Sequence, residues 1–154
     1  MALIVQKYGG TSVGDVERIR CVAERVKKYI EQGHQVVVVV SAMSGETNRL
    51  VSMGREIAGE QGSAREMDVL TASGEQVTIS LLSLGLLAIG VEAKSFLADQ
   101  VAIKTDEVHG KARIQEIHTA ALFAELERGC VPIVAGFQGV NNLGEITTLG
   151  RGGS

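Results

Sequence analysis

The sequence predicts an α/β protein built on a mainly parallel sheet with helices on both faces, and three observations carry that prediction. Strand-like and helix-like stretches alternate from one end of the chain to the other. Residues 36–40 are five consecutive valines with no polar alternation, as expected of a strand covered on both faces. Two stretches of helical periodicity each end at a glycine, Gly33 and Gly129, and each leads directly into a β-branched run.

The elements follow in order. Residues 3–5 form a short apolar strand. Between residues 15 and 32, Val16, Ile19, Ala23, Val26 and Ile30 recur every three or four positions, which places one apolar stripe on a helix. The valine strand comes next, then a loop reading SAMSGETN. Helical patterns cover residues 49–59 and 76–87, with Ser73, Gly74 and Glu75 read as lying between helical segments. Strands are expected near residues 92–97 and 101–104. A helix over 118–128 then feeds the strand 131–135, whose start holds the chain's one proline, Pro132. This βαβα order implies right-handed crossovers, with no internal repeat and no domain boundary.

Composition narrows the function classes. With 154 residues, 45% of them hydrophobic, the chain is the size of one domain and can bury ~70% of its unfolded surface. Net charge is -3 and only 3% of residues are aromatic, which disfavours a nucleic-acid surface with its basic stripe and stacking rings. Cys21 and Cys130 have no CxxC spacing and no ligand-type companions, so they are read as reduced thiols in a cytoplasmic protein rather than as a metal site or a disulfide. The start lacks the basic region of a signal peptide. The longest apolar run, residues 79–91, is shorter than the ~20 residues of a membrane span, so no membrane partner is expected.

In open parallel sheets, ligands gather at the carboxyl ends of the strands. Four loops there are rich in glycine or in Ser, Thr and Asn: residues 9–14, 41–48, 136–144 and 150–154. Such loops bring backbone N–H groups close to an anion, and Lys7 adds a point charge beside the first of them, which suits a polyphosphate. The wording is neither a Walker A loop, since Lys7 precedes Gly9 and Gly10, nor a GxGxxG fingerprint, so a plain glycine turn before a helix is the alternative. Glu75 is either a helix N-terminal carboxylate or the partner of a substrate ammonium group. Arg151, set among glycines, suits a two-pronged grip on a carboxylate, or is a basic tail. His34, His109 and His118 show no carboxylate partner in the sequence and are read as surface or capping residues. No catalytic triad or acid–base pair is present. An acceptor that is itself a carboxylate, with a pKa of ~4, needs no general base at neutral pH. Phosphoryl transfer to it depends on positioning and on cations.

Four stretches in order resemble the aspartate kinases of the amino-acid-kinase superfamily, and the resemblance covers the whole chain. They are KYGGTSVGD, with Tyr8 where Phe is more usual, VVVVVSAMSGETN, SGEQ and GFQGVNNLGEITTLGRGGS. The resemblance implies an αβα sandwich and ATP-dependent phosphorylation of the L-aspartate side-chain carboxylate to 4-phospho-L-aspartate, at the head of lysine, threonine and methionine biosynthesis. It implies that Lys7 stabilises the transferring phosphoryl group. Tyr8, Gly9 and Gly10 would line the nucleotide with Lys7, and Ser41 would lie where nucleotide and substrate meet. Thr47 and Glu75 would bind aspartate, Glu75 through its ammonium group, and Arg151, Gly152 and Ser154 would hold an aspartate carboxylate. ATP and Mg²⁺ are implied, with no protein metal ligand assigned.

Members of this family continue past the GRGGS stretch with an Asp, most of a nucleotide-binding half and two ACT modules. The expectation is therefore an amino-terminal, aspartate-binding part of the catalytic domain, over residues 1–154, that turns over poorly alone and self-associates through an open sheet edge. The competing readings are a glutamate, N-acetylglutamate or UMP kinase of the same superfamily, a non-catalytic scaffold, and, more remotely, a Rossmann dehydrogenase.

Overall fold

The computed structural model describes residues 1–150, 152 and 153. Arg151 and Ser154, two of the three carboxylate-holding residues expected at the chain end, lie outside the described residues.

The first sheet contains β1 (Leu3–Tyr8), β2 (Gln35–Val40), β3 (Ala93–Phe96) and β6 (Val131–Ala135), all parallel, in the order β1-β2-β6-β3. Helix α1 (Val16–Glu31) joins β1 to β2. It starts at Asp15, whose carboxylate accepts the Arg18 N–H at 2.8 Å, and Gly33 beyond its end takes the left-handed φ of 84°. Helices α2 (Glu46–Ala58) and α3 (Ala64–Ala88) carry the chain from β2 to β3. On one face of the sheet, Val36, Val38, Val40 and Ile133 pack with Ile19, Val22 and Val26 of α1 and with Ile79, Leu82 and Leu86 of α3. On the other face, Val37, Val134 and Phe96 pack with Leu126 of α4 (Ala120–Glu127) and with Val101. The alternation along β2 thus feeds two cores, which is why the valine run has no polar member. This is the three-layer parallel architecture expected from the sequence.

A second sheet was not legible. It holds β4 (Ile103–Thr105), β5 (Ile114–Ile117), β7 (Gln138–Val140) and β8 (Ile146–Thr148) in the order β5-β4-β7-β8, with antiparallel outer pairs and a parallel β4–β7 pair. These strands have three or four residues each, too short for a period of two to stand out. The β7–β8 hairpin turns on Asn141, whose side-chain oxygen accepts the N–H groups of Leu143 and Glu145, with Gly144 at φ 76°.

The first strand and two helices also differ from their expected bounds. The first strand runs on to Tyr8, so Lys7 lies within it, paired in register with Val39. The helix expected over 49–59 begins earlier, at Glu46. The helix expected over 76–87 is the second half of the 25-residue α3, so Ser73, Gly74 and Glu75 are inside a helix rather than between two. By length and composition α3 meets the requirement for a membrane span, but half of its most apolar stretch is buried in the core. Cys21 and Cys130 are free thiols, as expected.

Gly74 explains the misreading. A Cβ there would sit 2.9 Å from the Ala42 methyl carbon, so only glycine lets α3 approach the turn after β2 this closely. A Cβ at Gly85, in the same helix, would meet Ala23 at an ordinary 3.7 Å. In urea denaturation, Gly74→Ala is expected to lose about 1–3 kcal/mol from overpacking despite better helix propensity. Gly85→Ala is expected to be neutral or to gain up to about 1 kcal/mol. Equal effects of the two substitutions would contradict the close approach.

Candidate active site

A pocket of about 670 Å³ opens beyond the carboxyl ends of β2 and β6. Its wall takes Ser41 from the turn after β2, Thr47 from the first turn of α2, Asp68, Thr71 and Glu75 from α3, Gly110, Phe137 from the turn after β6, Thr148 and Gly152. Four residues singled out in the sequence, Ser41, Thr47, Glu75 and Gly152, therefore come together. Lys7, Tyr8, Gly9 and Gly10 are not among the lining residues. Lys7 is exposed. The Tyr8 ring is buried in the core, with its hydroxyl donating to Gln6 at 2.9 Å. Gly9 has open space where a Cβ would be, whereas a Cβ on Gly10 would lie 3.0 Å from the Ala42 carbonyl oxygen. The turn after β1 and the turn after β2 thus touch, which makes the glycine loop a neighbour of the pocket.

Glu75 has the most unusual environment. It is 1% exposed. Its Oε1 accepts the Ala42 N–H at 3.1 Å, while its Oε2 is buried with no hydrogen-bond partner. Burial pushes its pKa up to about 7, and the Ala42 hydrogen bond only partly opposes that. A buried polar atom left without a partner in a pocket wall is a place where a ligand donor fits.

Asp68 is also buried, but its oxygens are fully engaged. They accept the Thr148 hydroxyl at 2.6 Å and the Gly110 N–H at 3.1 Å, and one lies 2.7 Å from His109 Nδ1. The other ring nitrogen of His109 lies 3.3 Å from Glu145, which also receives Arg65 at 2.8 Å and Asn141 at 3.1 Å. His109 therefore has two carboxylate partners, contrary to the reading of it as a surface histidine. Those partners lie 41 and 36 positions away, beyond what spacing reveals. His118 also has a carboxylate nearby, Glu116 at 3.1 Å. Phe137 was not singled out from the sequence either. It holds a left-handed φ of 67°, rare for a residue with a side chain, where the chain turns from β6 into β7. Among the described residues no group of three or more His, Cys, Asp or Glu side chains is arranged to hold a metal ion. Among the described residues, protein side chains alone thus build no cage for Mg²⁺.

A three-layered α/β fold with an anion-suited glycine turn and a small polar pocket at its strand ends defines a class of proteins that handle small charged metabolites. The chain belongs to the amino acid kinase family, whose profile matches residues 2–154. It is 60% identical over its full length to an aspartokinase of Pseudomonas aeruginosa and 56% identical to aspartokinase 2 of Bacillus subtilis. It spans only 37% and 38% of the lengths of those two relatives. Among solved structures, 99% of the chain matches aspartate kinase from Synechocystis, with a TM-score of 0.81 and 46% identity over 24% of that chain. It also matches E. coli aspartokinase III in complex with aspartate and ADP, with a TM-score of 0.86 and 25% identity over 44% of that chain.

Glu75 predicts a pH-dependent stability. Because its pKa is raised in the fold, its contribution is most favourable below the unfolded value of ~4.3 and is lost as pH rises through about 7. Glu75→Gln is therefore expected to stabilise the ligand-free protein by about 3 kcal/mol near pH 8 and by almost nothing near pH 4. Thermal melts of both proteins across that range check it, and a gain independent of pH would contradict the assignment.

Proposed function

We propose that the chain is part of an aspartate kinase, in which this pocket binds L-aspartate for ATP-dependent phosphorylation of its side-chain carboxylate. The observation that carries the reading is the orphaned oxygen of Glu75. It sits in the pocket wall with one hydrogen bond missing, and a substrate ammonium group supplies both the donor and the charge that ionises the carboxylate. The identity to aspartokinases supports the same substrate.

In this reading Thr47 contacts aspartate beside Glu75, and Gly152, with φ 80° on the pocket wall, joins Arg151 and Ser154 in holding a substrate carboxylate. Ser41 lies where substrate and nucleotide meet. Gly9 and Gly10, with Tyr8 through its backbone, face the ATP phosphates, and Lys7 reaches in from β1 to the phosphoryl group in transit. The aspartate side-chain carboxylate is already ionised at neutral pH. Its oxygen forms a bond to the γ-phosphorus as the bond to the β-phosphate oxygen breaks, ADP leaves, and no proton has to move. Catalysis then rests on orientation and on the positive charge of Lys7. Mg²⁺ would arrive with the nucleotide phosphates and neutralise charge there, since the described residues supply no cage for it. A cytoplasmic location fits the two free thiols. N-acetylglutamate and UMP lack the free ammonium group that Glu75 would meet, and the 60% identity to an aspartokinase favours aspartate over glutamate.

The reading includes self-association. Strand β1 is an open edge, and its Leu3 and Val5 are 47% and 66% exposed beside an apolar groove of about 300 Å³ that Val37, Val39 and Phe123 also line. Sedimentation is expected to detect concentration-dependent association that Val5→Lys weakens. A monodisperse monomer at high concentration would speak against it.

Titration calorimetry in buffers of different ionisation enthalpy tests the substrate assignment. L-Aspartate is expected to bind with release of close to one proton at about pH 6, falling toward zero at about pH 8, because Glu75 must ionise to meet the ammonium group. Succinate, which lacks that group, is expected to release none, and Glu75→Gln is expected to abolish the proton release. Preferential binding of N-acetylglutamate or UMP would overturn the proposal.

A further inference from the structure

Beside the pocket, outside the residues assigned above, a chain of charged groups joins three parts of the fold that have no covalent reason to stay together. Arg65 and Asp68 come from the first turns of α3, His109 and Gly110 from the segment between β4 and β5, and Glu145 and Thr148 from the β7–β8 hairpin. The order is Arg65 to Glu145 to His109 to Asp68 to Thr148, with contacts of 2.8, 3.3, 2.7 and 2.6 Å. Its inner end is pocket wall, because Asp68, Gly110 and Thr148 all line the cavity.

The His109 ring bridges the two carboxylates. Asp68 faces it from α3 and Glu145 faces it from the hairpin, with Arg65 on the far side of Glu145. Of its own segment, Asp106 turns its carboxylate to the Val108 and Arg113 N–H groups, while Glu107 and Lys111 are exposed. A histidine that donates from both nitrogens is a cation, and only in that form do two carboxylates both gain from it. With Arg65, which also pairs with Glu66, the cation offsets the charges of Asp68 and Glu145. In a neutral ring one nitrogen turns a lone pair toward a carboxylate, so one of the two links fails.

We propose that His109, as a cation bridging Asp68 and Glu145, is a positioning residue that fixes Thr148 and Gly110 on the pocket wall. Asp68 receives both of those groups, so the orientation that His109 imposes on its carboxylate is passed to the end of β8, on the pocket wall that Gly152 also lines. The Ala112 N–H, which donates to the Thr148 carbonyl at 3.0 Å, ties the same two segments a second time. Burial works against the charge on His109, but the hydrogen bonds and charges of Asp68 and Glu145 outweigh it and raise its pKa. The cation therefore persists toward neutral pH and is lost as pH rises through the raised value. The geometry stands independently of what fills the pocket. Only the ligand-affinity arm below rests on the aspartate reading.

The test is an NMR pH titration of the ligand-free protein that follows the His109 ring and the backbone amides of Gly110, Thr148 and Gly152. The three amides are expected to shift with the midpoint of the His109 ring, above that of an unperturbed histidine at ~6.5. His109→Asn places an amide nitrogen where Nδ1 donates to Asp68, and His109→Gln places one where Nε2 meets Glu145. Both are expected to abolish the titration of the amides. Only His109→Asn is expected to keep Gly110 and Thr148 near their low-pH positions. L-Aspartate is expected to bind His109→Gln about 10-fold more weakly than wild type, and His109→Asn within about 2-fold. Pocket amides that ignore the His109 midpoint, or a His109→Gln variant with unchanged amides, would overturn the proposal, and the wild-type titration needs no variant to fold. If the wild type fails to bind L-aspartate while the amides follow His109, the pocket's ligand is misassigned and the role of His109 stands.

Discussion

Everything around the pocket depends on one face of one helix. Asp68 and Glu75 of α3 are seven residues apart, two helical turns, so their side chains leave the helix in nearly the same direction with Thr71 between them. Both carboxylates are buried, at 2% and 1% exposure. Taking two carboxylates out of water on one helix face is costly unless each finds donors. The fold answers differently at the two ends. Asp68 collects a hydroxyl, a backbone N–H and a histidine, while Glu75 receives one N–H and keeps an oxygen unmatched. The satisfied carboxylate ties the second sheet to the helix. The unsatisfied one leaves a place in the pocket wall where a ligand donor fits.

The approach of α3 to the turn after β2 makes this arrangement possible. The Ala42 N–H reaches Glu75 because Gly74 leaves no methyl group in the way, so the glycine and the glutamate of the SGEQ stretch act as a unit. The cost falls on the ligand-free state, which carries a strained Phe137 backbone and a half-satisfied Glu75 in the same cavity wall. Local rules are broken here and kept elsewhere, as in the Asp15 cap and the Gly33 stop of α1.

The sequence carried the main architecture because its signals are local. Five valines feeding two cores, a helical stripe and glycine stops are read one turn or one strand at a time. The same local logic split α3, because Ser73 and Gly74 read as a break when their real constraint was a neighbour more than thirty positions away. It missed β5, β7 and β8 because three or four residues hold no period. The pocket wall was legible where its residues cluster in sequence, as with Ser41 in the turn after β2 and Thr47 in the first turn of α2, and opaque where partners are distant in the chain. His109 is the clearest case, since nothing near it in sequence announces Asp68 or Glu145. Motif resemblance, rather than periodicity, supplied the role proposed for Glu75.

The strand order has a consequence for how the chain comes into being. β6 is laid down between β2 and β3, although it is made after both. During synthesis β2 emerges early and finds β1, but its other edge, the valine run, stays open while the next ninety or so residues are added. β3, already made, has no partner in its sheet until β6 arrives, because β6 is its only neighbour there. A nascent chain therefore carries an apolar, β-branched edge from the completion of β2 until residues 131–135 are made. One short strand, residues 131–135, then pairs with β2 on one side and β3 on the other.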